Sequence, residues 1–295
     1  MADLSFRARR LPVMGETILG QGFAMGPGGK GSNQAVAAAR AGGQVSFITC
    51  VGSDTFADIA LKTWSADGID TSLVSFSKDL PTGAAFIFVS SETGNNAIIV
   101  ESGAAATITA ELVSKSEAAI AASQVFITQL EQPVAAAWRG LEIARRHGVT
   151  TIFNPAPALP VDPAMLALCD YVTPNETEAA ELTALPVTNI DEARKAGDRI
   201  LTMGAKAVVI TLGEQGVLLH DASGSTLVPA FKMKVVETTG AGDAFNGGFA
   251  VAIAEGRTPL EAARFGNAVA GLSVTKRGTA PSMPTRREID ALLAT

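Results

Sequence analysis

The sequence predicts an α/β protein with a doubly wound, mostly parallel sheet, helices on both faces and a small separate β-sheet. Short β-branched apolar runs such as QVFITQL alternate with alanine-rich segments of helical period, as in buried strands joined by helices. A chain of 295 residues, 47% of them apolar, can bury a large core. One stretch, 82–102, interrupts this alternation with the pattern of a hairpin.

The strands of the main sheet are placed by apolar runs. They are predicted at 44–52, 124–130, 150–154, 171–175 and 207–213. Helices are predicted after the first, second and fourth of these strands, and a last helix begins near Gly242. Residues 26–81 and 103–295 are therefore predicted to form the main α/β domain.

Half-polar segments with alternating apolar residues predict the second sheet. Residues 3–12 and 16–25 have this pattern, and 82–102 has two such runs around a Gly-Asn-Asn turn. Residues 3–25 and 82–102 are therefore predicted to form a β-sheet that serves as a lid or a dimer surface.

Composition argues against several classes of function. The net charge is −6 with no long run of lysine or arginine, so no nucleic-acid partner is expected. No apolar run is long enough to cross a membrane, and no membrane partner is expected. Cys50 and Cys169 stand far apart, which suits a reducing, cytoplasmic environment. His147 and His220 are expected at the surface or at element ends, so a histidine base is not expected.

The turn ETTGAGDAFNGGF places Gly240, Ala241 and Gly242 directly before a carboxylate, Asp243. A glycine-rich turn at a helix start leaves backbone N–H groups unpaired at an electropositive point, where a phosphate can bind. A carboxylate repels a phosphate, so its place beside one needs a reason. The reason would be that it takes the proton of a hydroxyl that attacks the phosphate. The pattern predicts a kinase for a hydroxyl acceptor with Asp243 as the base. The alternative is a carboxylate that only caps the helix.

A second glycine-rich segment, PGGKGSNQAVAAARAGG, precedes a predicted helix. Gly29 lets the backbone approach a polyol, Asn33 offers a donor and an acceptor, and Lys30 can neutralise phosphate charge. Glu131 follows the second predicted strand at its carboxyl end, where open α/β sheets bind ligands. Helix capping by Ser32 or Asn33 and a turn role for Glu131 are the alternatives.

Two more constellations follow later strands. Asn175 and Glu178 could hold a hydrated Mg²⁺, although their N-x-x-E spacing is also that of a capping box. Thr211 and Gly213 end another strand and could contact nucleotide phosphate or ribose, with a hairpin turn as the alternative. Four of the five constellations thus lie at predicted carboxyl ends of strands or in the turns that follow, where one cleft would form.

These motifs, taken together, resemble the ribokinase-like carbohydrate kinase family. The specific pair is GGKGSNQAVAAA followed far along the chain by TTGAGDAFNGGF, with MGET, QLE, NPAPA, PNETEA and TLGEQGV in addition. The similarity runs from Asp3 to the C-terminal REIDALL. GGKGSNQ together with QLE points to the ribose kinases of this family rather than to its fructokinases or adenosine kinases.

The resemblance implies transfer of a phosphoryl group from ATP to the 5-hydroxyl of D-ribose, with Mg²⁺ and K⁺ as cofactors. It also implies a β-sheet lid shared across a homodimer. The implied roles are base for Asp243; anion hole for Gly240, Ala241 and Gly242; sugar binding for Asp3, Gly29, Lys30, Asn33, Glu131 and Asp243; nucleotide binding for Asn175, Thr211, Gly213, Gly216, Gly242 and Asn267; and Mg²⁺ binding through water for Glu178. The positions that correspond to a monovalent cation site are Glu237, Thr239, Ser273, Lys276, Gly278 and Ser282.

Three departures from the family pattern carry expectations. The first core strand is missing, because only Met1-Ala2-Asp3 precedes the lid segment, and a sheet without it should expose apolar edges. Glu237 replaces the usual aspartate, which shifts a cation ligand by about one C–C bond and weakens the expectation of K⁺ activation. Ala105 replaces an asparagine, which should loosen sugar selection.

Two alternatives to a ribose kinase remain open at this point. One is a kinase of the same family that acts on another sugar or on a nucleoside, since few residues decide the acceptor. The other is a catalytically silent sugar-binding protein, which the intact Gly-Ala-Gly-Asp turn argues against.

Overall fold

Residues 1–295 are described by the computed structural model, and twelve strands fall into three sheets. The largest sheet has six strands in the order β12-β11-β10-β9-β8-β7. Its strands are β7 (Val125–Thr128), β8 (Thr150–Phe153), β9 (Tyr171–Val172), β10 (Ala207–Thr211), β11 (Val217–Asp221) and β12 (Gly224–Val228). β7 to β10 are parallel, and β10, β11 and β12 pair antiparallel.

A separate sheet of four strands has the order β2-β1-β5-β6. Its strands are β1 (Ala2–Ala8), β2 (Gly22–Pro27), β5 (Thr82–Ser90) and β6 (Asn96–Gly103). β5 and β6 form the predicted antiparallel hairpin, and β1 pairs parallel to β5. The third sheet contains only β3 (Thr49–Val51) and β4 (Val74–Phe76), which are parallel.

Eleven α-helices connect or cover these sheets. They are α1 (Lys30–Arg40), α2 (Thr55–Ala66), α3 (Ala110–Lys115), α4 (Glu117–Ala121), α5 (Val134–Arg146), α6 (Pro163–Leu166), α7 (Glu176–Thr183), α8 (Ile190–Thr202), α9 (Ala241–Ala254), α10 (Pro259–Ser273) and α11 (Arg286–Leu293). None of them combines the length and the apolar character that crossing a bilayer requires.

Side chains of the six-stranded sheet alternate between two apolar clusters. Val209 and Ile152 pack with α1, α9 and α10 on one face, whereas Val208, Ile210 and Phe153 pack with α5, α7 and α8 on the other. Period-two alternation with helices on both faces is the arrangement of a doubly wound sheet. The predicted α/β fold class is therefore confirmed.

Three details differ from the sequence-based expectation. Only Thr49–Val51 of the predicted strand 44–52 is a regular strand, because the preceding residues border a cavity and have no strand on that side. The antiparallel pair β11 and β12 was not predicted, because β12 is half-exposed and lacks a continuous apolar run, although β11 is apolar and buried. His220, expected at the surface or at an element end, lies near the end of β11 but is only 5% exposed, because it packs against Gly197 and contacts Asp198 and Ser225.

Candidate active site

The glycine-rich turn leads directly into α9, as predicted for a phosphate site. Gly240 has φ 80°, a left-handed conformation that favours glycine, and α9 begins at Ala241. The Ala241 N–H donates to the Thr238 carbonyl, but the N–H groups of Gly242 and Asp243 have no acceptor within the protein. Nothing lies within 4 Å of the position that a Cβ on Gly242 would take. The start of α9 thus offers two free N–H groups and open space, which suits an anion.

Asp243 lies in the first turn of α9 and is 7% exposed. Asn33 Nδ2 donates to its Oδ2 at 3.0 Å, and Gln34 Nε2 donates to its Oδ1 at 3.0 Å. Burial raises the pKa of Asp243, while the Lys30 charge and the two amide donors oppose that increase. The side chain is therefore a buried carboxylate in a fixed orientation whose proton affinity is higher than usual.

The two amides that hold Asp243 differ in their other contacts. Gln34 is fully engaged, because its Nε2 also donates to Asn154 Oδ1 and its Oε1 accepts from Gln129 Nε2. Asn33 is 4% exposed, yet its Oδ1 has no hydrogen-bond partner. A buried acceptor without a donor is costly, and a ligand hydroxyl would satisfy it.

The start of α1 is fixed from its other side by a buried tryptophan. Trp64 Nε1 donates to Ser32 Oγ at 2.8 Å, and the Phe47 ring packs edge-on against the Trp64 ring. Ser32 directly precedes Asn33 in the chain. Residues of α1 that face the candidate site are thus anchored to α2.

Lys30 brings positive charge to the same place. Burial alone lowers the pKa of Lys30, but the carboxylates of Asp243, Glu131 and Glu178 outweigh burial and leave the pKa raised. Its backbone N–H donates to Glu131 Oε2 at 2.7 Å. Burial raises the pKa of Glu131, helped by the Asp243 charge. Lys30 is therefore a permanently charged ammonium among three carboxylates.

Asp3 reaches this site from strand β1 of the four-stranded sheet. Burial raises the pKa of Asp3 to about 6, although a 2.8 Å hydrogen bond from Thr279 Oγ1 opposes the shift. A Cβ on Gly28 would collide with the Asp3 carboxylate, so this turn requires glycine. Asp3 and the Gly28-Gly29 turn thus lie in direct contact.

Asn175 and Glu178 form the capping box that their spacing allowed. The Glu178 N–H donates to Asn175 Oδ1, and the Asn175 N–H donates to Glu178 Oε2. Glu178 Oε1 has no partner within the protein, and the Lys30 and Asp243 charges both act on this carboxylate. The capping interpretation is correct locally, and one carboxylate oxygen remains available for a ligand.

The residues assigned to the nucleotide fall into two places. Thr211 ends β10 beside Asn175, with which it forms an isolated bridge. Gly216 and Asn267 meet at the segment 228–230 instead, where Asn267 Nδ2 donates to the Val228 and Pro229 carbonyls. Gly213 has φ 53° with open space around it, just after β10. Contact with a nucleotide stays a prediction for all five.

The positions assigned to a monovalent cation are partly brought together. The Gly278 N–H donates to Glu237 Oε2 at 3.4 Å, and Glu237 Oε1 has no partner. Ser282 Oγ donates to the Thr279 carbonyl, and the Glu237 charge acts on Asp3. Three other positions bond elsewhere within the protein: Thr239 accepts from Asn96, Ser273 donates to Ala270, and Lys276 pairs with Glu288 on α11.

Four side chains that contribute to the site were not singled out in the sequence. They are Gln34, Gln129, Asn154 and Thr279, which contact predicted site residues directly or through one another. Gln34 follows Asn33 inside the quoted motif, and Asn154 and Gln129 end predicted strands. These positions were the feature of the sequence that could have identified them as site residues. A polar residue at a strand end, however, has no unique partner until the fold is known.

Comparison with known proteins identifies the family of this chain. A family described as pfkB family carbohydrate kinase matches residues 1–286. A ribokinase of Haemophilus influenzae is 42% identical over 274 residues, which cover 93% of this chain and 89% of that protein. A deoxyribokinase of Salmonella typhi is 34% identical and aligns over 100% of this chain and 96% of its own length.

Solved structures share the fold over the full chain. The crystal structure of a ribokinase from Thermotoga maritima has a TM-score of 0.89 at 37% identity, covering 100% of this chain and 96% of that chain. An Arabidopsis thaliana ribokinase complexed with ribose and ATP has a TM-score of 0.89 at 29% identity, with the same coverage. On its sequence, its fold and the arrangement around Asp243, this chain belongs to the pfkB family of carbohydrate kinases.

Proposed function

We propose that this protein is a ribokinase, which transfers the γ-phosphoryl group of ATP to the 5-hydroxyl of D-ribose and forms D-ribose 5-phosphate and ADP. The observation that carries the proposal is the buried Asp243 carboxylate, fixed by two amides beside the free N–H groups at the start of α9. The similarity to ribokinases, one of them complexed with ribose and ATP, supports this acceptor.

Asp243 acts as the general base in this proposal. The hydroxyl oxygen forms a bond to the γ-phosphorus, the bond from that phosphorus to the ADP oxygen breaks, and the hydroxyl proton passes to Asp243. The raised pKa of Asp243 makes its carboxylate a better proton acceptor than an exposed one, while the Lys30 charge and the two amide donors favour the ionised form.

The start of α9 stabilises the charge that develops on the transferred group. The N–H groups of Gly242 and Asp243 are already oriented, so they donate to phosphoryl oxygens without reorganisation. The Ala241 N–H donates to the Thr238 carbonyl, so we expect the anion hole to use the free N–H groups of Gly242 and Asp243 rather than that of Ala241. Lys30 adds a positive charge close to the same carboxylate.

The sugar binds between the main sheet and the four-stranded sheet, which serves as a lid. Asn33 Oδ1 accepts from one sugar hydroxyl and thereby gains the partner that it lacks in the free protein. Asp3 and Glu131 accept from others, and the backbone at Gly29 leaves room for the ring. Residues 3–25 and 82–102 form the lid, and residues 26–81 and 103–295 form the body.

The nucleotide lies along the carboxyl edge of β9 and β10. Asn175, Thr211 and Gly213 border it, and Gly216 and Asn267 shape the neighbouring segment 228–230. Glu178 would hold Mg²⁺ through water with its free carboxylate oxygen. Bound Mg²⁺ neutralises phosphate charge. A monovalent cation would be held at Glu237 Oε1, where the longer glutamate side chain weakens the expectation of K⁺.

A different acceptor within the family is the second candidate. Ala105 removes an amide that could select among sugars, and the chain aligns fully with a deoxyribokinase. The silent sugar-binding alternative is disfavoured by the fixed Asp243 and the free N–H groups beside it.

The test is ADP release from Mg-ATP with D-ribose, 2-deoxyribose, fructose, adenosine and uridine, each with K⁺ and with Na⁺. We expect the highest kcat/KM on D-ribose and a higher rate with K⁺. Asp243→Asn should reduce kcat roughly 10²- to 10⁴-fold, since it removes the general base, while calorimetry still detects ribose binding. A higher kcat/KM on another acceptor would show that this acceptor, and not ribose, is the substrate. Unchanged turnover by Asp243→Asn would refute the assignment of Asp243 as the general base.

A further inference from the structure

The peptide unit between Gly242 and Asp243 is held at its carbonyl oxygen by a buried side chain. Asn246 Nδ2 donates to the Gly242 carbonyl at 2.9 Å. This carbonyl and the Asp243 N–H belong to one planar peptide unit, so a bond that fixes the carbonyl also fixes the direction of the N–H. The Asp243 N–H is one of the two free donors at the start of α9. Asn246 therefore acts on the candidate anion hole from within the protein.

Asn246 is itself oriented by Thr173, which directly follows β9. Thr173 Oγ1 donates to Asn246 Oδ1 at 2.6 Å, and each of the two residues is only 1% exposed. A reversed amide would place the Asn246 oxygen against the Gly242 carbonyl oxygen, which is unfavourable for two acceptors. Both ends of the amide are therefore bonded, and the side chain has one favourable orientation.

A second path leads from Thr173 to the carboxylate of Asp243. The Thr173 carbonyl accepts from Asn154 Nδ2 at 2.8 Å, and Asn154 Oδ1 accepts from Gln34 Nε2 at 3.1 Å. The same Gln34 nitrogen donates to Asp243 Oδ1. The two paths together form a closed ring of hydrogen bonds. Through this ring, Thr173 is linked both to the main-chain N–H and to the carboxylate of Asp243.

The ring is anchored to the six-stranded sheet. Asn154 and Thr173 directly follow the neighbouring parallel strands β8 and β9, and the Thr173 N–H donates to the Phe153 carbonyl at 2.8 Å. Hydrogen bonds in a buried chain polarise one another, so donation to the Gly242 carbonyl makes the N–H of the same peptide unit a stronger donor. Loss of the Thr173 hydroxyl would leave Asn246 Oδ1 buried without a donor and would free the amide to turn.

We propose that Thr173 and Asn246 are positioning residues for phosphoryl transfer. Thr173 orients Asn246, and Asn246 sets the direction and the polarity of the Asp243 N–H that donates to the transferring group. Both side chains are buried, so they act through the peptide unit and not by contact with a substrate. This inference rests on the proposed function, and it concerns the donor that receives negative charge rather than the base.

The test is Thr173→Val, which keeps the shape of the side chain and removes the hydroxyl. We expect kcat for the best acceptor to fall roughly tenfold, because a preoriented donor is misaligned. Calorimetry should find the affinities for ribose and for Mg-ADP within about twofold of those of the native protein. Mg-ADP with aluminium fluoride and ribose imitates the flat transferring phosphoryl group. Affinity for that mixture should fall by about the same factor as kcat, which a purely structural role would not produce.

Two control variants separate the hydroxyl from packing and from stability. Thr173→Ser loses a methyl group but keeps the donor to Asn246, so it should retain most of the native kcat. Thr183→Val removes another buried hydroxyl, which donates to the Ala179 carbonyl in α7, and should leave kcat unchanged. The Tm of each variant shows how much of any loss reflects unfolding.

Asn246→Leu is the second test, because it replaces the amide with an apolar side chain of similar size. It should lower kcat at least as much as Thr173→Val does. The double variant should be no slower than Asn246→Leu alone, since both residues act through one hydrogen-bonded chain. Additive losses in the double variant would contradict this chain.

Full kcat in Thr173→Val or in Asn246→Leu would overturn the proposal. Equal losses of affinity for Mg-ADP alone and for its mixture with aluminium fluoride would also overturn it, because the hydroxyl would then act on nucleotide binding. Asp243→Asn in the same series tests the proposed function separately. If Asp243→Asn keeps native turnover, the proposed function fails; if it is inactive while Thr173→Val is fully active, only the positioning role fails.

Discussion

Gln34 and Asn33 donate to different oxygens of Asp243, but only Gln34 has all of its remaining polar groups bonded to protein. A side chain bonded in this way has no group left for a substrate. We therefore assign Gln34 to positioning the base, and Asn33 to binding the acceptor as well as holding Asp243. Two neighbouring amides in one helix turn thus have separable effects on catalysis.

Gln34→Met should reduce kcat by about tenfold or more and change the acceptor KM little. A hydrogen bond to a charged group contributes about 1.5–3 kcal/mol, and 1.4 kcal/mol corresponds to tenfold. Loss of this donor also raises the pKa of Asp243, so the acid limb of the kcat–pH profile should move to higher pH. Steady-state kinetics from pH 5 to 9 measure both effects.

Asn33→Ala is the matched comparison, because it removes the donor to the other oxygen of the same carboxylate together with the proposed sugar contact. We expect a higher acceptor KM in addition to the lower kcat. Identical changes in KM for the two variants, or an unmoved acid limb for Gln34→Met, would contradict the separation of roles.

We expect the affinity of the protein for ribose to depend on pH through the ionisation of Asp3. Because its pKa is about 6, lowering the pH from 7.5 to 5 protonates it, removes a charged acceptor and should raise the ribose KM severalfold. Asp3→Asn should show a high KM with little of this pH dependence. The sign for stability is opposite: a folded-state pKa above the ordinary 3.8 means that this group adds stability as pH falls from about 6 towards 4.

At the scale of elements, the start of α9 combines a strained turn with an open position. Gly240 has a positive φ, so an alanine there should cost about 1–2 kcal/mol of stability. Gly242 is helical and faces open space, so an alanine there should fold normally. The two glycines therefore serve different purposes, one for the chain path and one for the ligand.

Gly242→Ala should lower kcat by roughly tenfold or more, since an oxyanion donor becomes obstructed, while the free energy of unfolding stays the same or rises slightly. Gly240→Ala should destabilise the protein. Gly68→Ala, at φ 68° with open space and far from the site, is the control for that conformational cost. Urea denaturation and ADP-release rates on the same samples test this, and full activity in Gly242→Ala would exclude the anion-hole assignment.

Local patterns predicted these elements to different degrees. The Gly-Ala-Gly turn was predictable because unpaired N–H groups are a local property of a helix start, and so was the Asn175–Glu178 capping box. The β11–β12 hairpin was missed although its pairing is local, because the half-exposed β12 has no continuous apolar run. Contacts of Gln34 with Gln129 and Asn154 join residues 95 and 120 positions apart, which no local pattern specifies.

At the scale of the whole molecule, the four-stranded sheet leaves large apolar side chains in contact with solvent. Phe23 is 59% exposed and Ile99 is 70% exposed, and Met25 is exposed on the same face of the sheet. A patch of this kind marks an interaction surface. A second copy of the chain is the partner that we propose for this face of the four-stranded sheet.

Ile99→Asp should shift the protein from dimer to monomer in sedimentation equilibrium, since a carboxylate cannot be buried in an apolar interface at low cost. Leu260→Asp, at an exposed position on α10, is the control and should leave the dimer intact. A wild-type protein that is monomeric at high micromolar concentration would contradict the interface.

The hydrogen bond between Trp64 and Ser32 gives the protein an optical reporter of its acceptor site. The indole is buried and bonded to the residue before Asn33, so a sugar that engages Asn33 changes the electrostatic field at the ring. Trp138, the other tryptophan, packs on α5 with the cluster on the opposite face of the sheet and supplies a constant background. Intrinsic emission can therefore follow sugar binding in the absence of nucleotide, in the native chain and without any label.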